Sequence, residues 1–213
     1  MKSKEFIRLL NELEESRVRN KDSILIRYEE YLLSEGIYCG MDTVSFRKNI
    51  KGHKELCDEI IKFYKEAKVD NDKLVLLEDL YAIGYDKNKI VEMILDTFNN
   101  QKKFTMLWEY GDLLYRMKRY KYLQQYISII NDDTYGEDRQ MIILLVGKSK
   151  NIETIPILKG LLDDSDVCGH ALEALTNFTG DDIEKIMFKY LNYEVKWVRN
   201  IAEKYLKKQG RIK

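Results

Sequence analysis

The sequence predicts an all-α chain, a right-handed superhelical stack (solenoid) of helix pairs, and three observations carry that expectation. Breakers are few: one proline, Pro156, and 11 glycines in 213 residues, which favours helices over many short strands. Apolar residues recur at helical spacing nearly throughout, with no sustained alternation of the kind a half-buried strand shows. The helix breaks recur too, near Gly84, Met117, Gly147, Asn177 and Lys208, a period of about 31 residues that suits a two-helix unit.

In chain order, Phe6, Leu9, Leu10 and Leu13 form the first stripe. Leu56, Ile60, Ile61 and Tyr64 form the next, followed by Ile142, Leu145 and Val146, then Ala171, Leu172 and Leu175. A single helix pair cannot bury its own apolar face, so neighbours must stack. One domain over 1–213 is expected, with less regular helices in 1–50 and repeats over about 51–210. The best-formed unit runs from Ile155 to Leu175. Pro156 stands near a helix start, where its missing N–H costs little. A turn rich in aspartate follows, in which Asp163 and Asp166 are expected to cap. Val167 and a small residue then open the second helix, and Val198-Arg199 with Ala202 repeat the pattern. This arrangement resembles the HEAT repeat, with Cys168 standing where that pattern usually has arginine.

Composition excludes more than it identifies. Formal net charge is zero, from 36 basic and 36 acidic residues, so no global field draws the chain to nucleic acid or membrane. Cys39, Cys57 and Cys168 are odd in number and far apart, which suggests no disulfide framework. Charges scattered through Met1 to Leu13 are unlike a secretory leader, and no apolar run reaches the ~20 residues of a membrane span. A cytoplasmic protein is expected. His53 and His170 are the only histidines, and with the scattered cysteines they form no metal-ligand cluster. There is no glycine-rich phosphate loop, and no serine or cysteine has a histidine at a suggestive spacing.

One constellation remains. Trp108-Glu109-Tyr110-Gly111-Asp112 opens the second helix of a repeat, and Trp108 and Asp112, four apart, share one helical face. Arg139 opens the equivalent helix one repeat later. In a solenoid these three would line one cleft. From spacing alone a second reading stands beside this one: a core tryptophan, and an aspartate that complements the helix dipole.

Three segments, in order, resemble the bacterial alkylpurine DNA glycosylases built from HEAT-like repeats, the AlkD family. Glu30 to Arg47 looks like that family's tyrosine helix, glycine turn and threonine-capped helix with arginine. The Trp108–Asp112 segment matches its tryptophan and catalytic aspartate, and Asp138 to Leu144 is similar to the segment holding its active-site arginine. The C-terminal Trp197 to Ala202 looks like its last repeat. Where the family carries a second active-site tryptophan, this chain has Ala174.

The resemblance implies a monofunctional glycosylase that hydrolyses the N-glycosidic bond of cationic N3- or N7-alkylated purines in double-stranded DNA. It would act as a monomer, with no metal and no cofactor. A cationic base departs neutral, so no proton donor is needed. The resemblance makes Trp108, Asp112 and Arg139 catalytic. Asp112 would stabilise positive charge on the deoxyribose and position water, Trp108 would face the same cation, and Arg139 would hold a backbone phosphate. Tyr31, Arg47, Lys148 and Arg199 would contact DNA. Basic runs at Arg116-Met117-Lys118-Arg119-Tyr120-Lys121 and over 196–213 offer a DNA-facing surface, although cations also gather at helix C-termini for dipole reasons. Two other readings remain open: a HEAT-like DNA binder that breaks no bond, and a protein-interaction scaffold. An acid-lined concave face would favour the scaffold.

Overall fold

The computed structural model describes residues 24–37, 49–100 and 106–213. Among these residues every regular element is helical and none is a strand, which is the all-α character the sequence predicts. Arg47, expected to contact DNA, lies outside the described residues, as does the stripe from Phe6 to Leu13. The described chain forms two compact units, and the division falls inside the helix Lys87–Asn100.

The first unit contains α1 (Leu25–Ser34), α2 (Cys57–Glu66), α3 (Asp70–Ile83) and the start of α4 (Lys87–Asn100). Its core is local in origin. α3 buries Leu74, Leu76, Leu77, Leu80 and Ile83, and α1 adds Tyr28, whose ring sits 5.5 Å from that of Phe63 on α2. Burying Asp79 would be costly without a partner. The Tyr28 hydroxyl donates to its Oδ2 at 3.1 Å. α3 ends at Gly84, whose φ of 91° is open to glycine. The following Tyr85 N–H closes the turn onto the Leu80 carbonyl at 2.9 Å.

The second unit holds the end of α4, then α5 (Leu107–Met117), α6 (Leu123–Ile130), α7 (Gln140–Lys148), α8 (Ile155–Gly160), α9 (Cys168–Leu175), α10 (Asp181–Tyr190) and α11 (Lys196–Lys208). α6, α8 and α10 each pack on the helix that follows, while α5, α7, α9 and α11 lie side by side in that order. Pro156 occupies the first turn of α8, as its sequence position suggests. The turn before α9 is capped differently from expectation. Asp164, rather than Asp163 or Asp166, accepts from a turn N–H, that of Asp166 at 3.0 Å.

Small residues set the distance between the side-by-side helices. Gly147 near the end of α7 lies so close to Ala174 near the end of α9 that a Cβ on it would sit 2.7 Å from the Ala174 Cα. Gly111 of α5 abuts Met141 and Ile142 at the start of α7, and Gly169 at the start of α9 abuts Trp197 at the start of α11. Beginnings meet beginnings and ends meet ends, so α5, α7, α9 and α11 run parallel with their first turns aligned along one edge.

Gly147→Ala puts a methyl against a neighbour's backbone, which no rotamer change relieves. It is expected to lower the unfolding free energy by about 1–3 kcal/mol. Gly160→Ala faces open space at the end of α8 and should be neutral or raise stability by about 0.5 kcal/mol. Urea unfolding followed by far-UV circular dichroism compares the two directly.

Candidate functional site

The aligned edge of the second unit is built from helix first turns, where backbone N–H groups have no intrahelical acceptor. Trp108 is the second residue of α5 and is 40% exposed. Its indole Nε1 donates to Gln140 Oε1 at 3.2 Å, and Gln140 Nε2 donates to the Asp166 carbonyl at 2.9 Å. One glutamine therefore braces the tryptophan and ties the starts of α5, α7 and α9 together. The carboxylate of Asp138 accepts the Trp108 backbone N–H, a cap supplied from the turn before α7. Burial, then the nearby Glu109, push Asp138 above the usual carboxylate range; the Trp108 N–H opposes them, and Glu137 adds to the rise.

Trp197 occupies the same register on α11 and is 45% exposed. Its ring fills the space a side chain at 169 would take, and its centroid lies 5.4 Å from the His170 imidazole. Burial lowers the His170 pKa from its ordinary 6.5, while Glu173 and Glu137 pull it upward.

The expected catalytic residues separate. Trp108 and Asp112 do share a face of α5, and Asp112 Oδ2 lies 2.9 Å from Arg116 Nε, both side chains about a third exposed. Arg139 points the other way. It is 2% exposed, and each of its nitrogens has an internal acceptor. Nε donates to the Gly136 carbonyl at 2.9 Å, Nη1 to the Ile130 carbonyl at 3.2 Å, and Nη2 to Asp164 Oδ2 at 2.6 Å. A guanidinium so placed has no face left for a phosphate, so the sequence-based phosphate contact at Arg139 is replaced by a structural clamp. Ala174, which the resemblance would set at the place of a second tryptophan, is fully buried against Gly147.

The expected DNA contacts also differ in setting. Lys148 is exposed at the end of α7. Arg199 uses Nη1 to hold the carbonyls of Tyr193 and Glu194, at 2.6 and 2.8 Å, bracing the turn before α11. Tyr31, in the first unit, is raised in pKa by burial and by the carboxylates of Glu35, Glu59 and Glu55, with Lys62 opposing. Sequence reasoning missed Gln140, Asp164, Gly169 and His170. A usable signal was present: Trp108 and Trp197 are 89 residues apart, close to three periods, so they fall in one register.

Among the described residues no group of three or more His, Cys, Asp or Glu is placed to hold a metal ion, and no helix is long and apolar enough to cross a membrane. In comparisons with known proteins, no family model matches the chain, and neither a curated protein nor a solved structure matches it.

Removing the buried clamp has a predictable cost. Arg139→Met strands two carbonyls and Asp164, and Asp164→Ala leaves the guanidinium without its anion. Each is expected to cost about 3 kcal/mol in urea unfolding. For His170 the folded value is depressed, so the folded state binds its proton less readily than the unfolded chain. That contribution to stability is fully present above pH 6.5 and drains as pH falls through the folded value. Imidazole proton NMR should give a midpoint below 6.5, and Trp197→Ala should move it upward by opening the ring to water.

Proposed function

We propose that the chain is a solenoid of HEAT-like helix pairs that works as an interaction module, holding a macromolecular partner without breaking a bond in it. The observation that carries this reading is the braced, exposed indole of Trp108 on an edge where the nearby arginines, Arg139 and Arg199, are already engaged by the chain's own oxygens. Rigid exposed aromatics are strong interface anchors, because little side-chain freedom is lost when they bind. The inward guanidinium of Arg139 and the buried Ala174 support a binding role over catalysis: one group that glycosylase chemistry would draw on is a core element, and a small buried residue stands where the resemblance asks for a second tryptophan.

A second reading is favoured by one specific observation, the partly exposed Asp112 one helical turn from Trp108. In it the chain resembles the AlkD family in activity, and Asp112 stabilises the sugar cation while Lys148 contacts the backbone. The Arg116 guanidinium then has to swing away before Asp112 can act at full charge.

One assay separates the two. The chain is incubated with methylated duplex DNA, and release of 7-methylguanine and 3-methyladenine is followed by chromatography. The interaction reading expects release at the uncatalysed rate. Release well above that rate that is lost in Asp112→Asn would replace it with the glycosylase reading.

A further inference from the structure

The aligned edge has both a shape and a charge. Its two ends are Trp108 on α5 and Trp197 on α11, each in the second position of its helix, and each held from one side. Trp108 is held by Gln140, and Trp197 by Gly169 and His170. Fixing both indoles in the free protein removes part of the ordering cost of binding. Between and beside them the described residues carry mostly carboxylates. Glu137, Asp166 and Glu194 are exposed, and Glu109 and Asp138 are half-buried. The one exposed ammonium among the described residues at these first turns is Lys196. The arginines that the sequence places nearby are withdrawn, Arg139 into the core and Arg199 onto the Tyr193 and Glu194 carbonyls.

This combination rejects a phosphate backbone and suits a cationic one. Carboxylates would repel nucleic acid, whereas lysine or arginine side chains gain both the carboxylates and the indole faces. Asp138 is raised first by burial and then by the nearby Glu109 and Glu137 carboxylates, and a cationic ligand would offset that like-charge part. Three helix-to-helix steps of about 9 Å separate α5 from α11, roughly 27 Å in all. About eight residues of extended chain cover that distance.

We propose that the edge from Trp108 to Trp197 binds an extended, arginine- or lysine-rich segment of a protein partner, laid across the first turns of α5, α7, α9 and α11. The inference rests on the interaction reading above and adds the chemistry and length of the occupant. Charge complementarity selects the segment and steers its approach, and the indoles anchor its two ends.

The protein supplies its own reporter, because Trp108 and Trp197 are its only tryptophans. The full chain is titrated with a peptide of about ten residues, arginines alternating with glycines and a leucine at each end, while tryptophan emission is recorded. The same peptide with glutamate for arginine, its two halves and a short duplex DNA are the comparators. The expected result is a saturable emission change in both Trp108→Phe and Trp197→Phe, each of which keeps one indole. Binding should weaken at least about tenfold for the halves and for Glu137→Lys combined with Asp166→Lys. Those two positions are exposed, and an unchanged far-UV spectrum shows that the fold survives. No response to the arginine peptide, or an equal response to the glutamate peptide, overturns the inference. If the glutamate peptide binds instead, the charge assignment fails and the interaction reading stands. If only duplex DNA changes the emission, the assignment of a protein partner fails as well.

Discussion

Arg139 is a full positive charge with almost no contact with water, and the second unit is arranged around satisfying it. A buried guanidinium is tolerable only when its planar fork meets acceptors in its own plane. Here the acceptors come from three places: the end of α6, the turn before α7, and Asp164 in the turn before α9. Those turns can occupy only positions that bring their oxygens to the fork. One ionic group thus couples two successive helix pairs, and the same Asp164 carboxylate also closes its own turn through the Asp166 N–H.

Close helix contact does the rest. With Gly147 against Ala174 and Gly169 under Trp197, the side-by-side helices stand in register, and their dipoles point the same way. Parallel dipoles place positive ends along one edge and negative ends along the other. The charges follow. Glu109, Glu137, Asp138 and Asp166 gather at the starts of the helices, while Arg116, Lys148, Lys207 and Lys208 sit in their last turns. A chain with no net charge therefore carries a second unit with an acidic edge and a basic one. Total charge was a poor guide to partners because cancellation between two edges looks the same as neutrality.

The two tryptophans gain their meaning from this register. Each projects from the first turn of its helix, where the neighbouring helix covers only one side. Trp108 is held by a glutamine and Trp197 by a glycine, different devices with the same outcome: a large apolar ring fixed in place with one side toward water. Chance exposure of a single tryptophan would carry little weight, but two at equivalent positions of parallel helices form the two ends of one surface.

By itself the sequence determined that the described residues are helical, where α3, α5, α7, α9 and α11 end, and that Trp108 and Asp112 share a face. These are local properties, set by the apolar period, by Gly84 and Pro156, and by positions three or four apart. Tertiary structure alone decided which way adjacent residues face. Arg139 and Gln140 are neighbours, yet one is buried in the core and the other braces the surface tryptophan. A step of one residue turns a helix by roughly 100°, and the side chosen depends on a carboxylate 25 residues further on. Ala174 was legible as a departure from a resembling family, but its packing against Gly147 was not, because that contact joins two helices whose separation no local pattern encodes. The acidic edge was hidden for the same reason: its carboxylates are scattered in sequence, and stacking the helices in register is what brings them together.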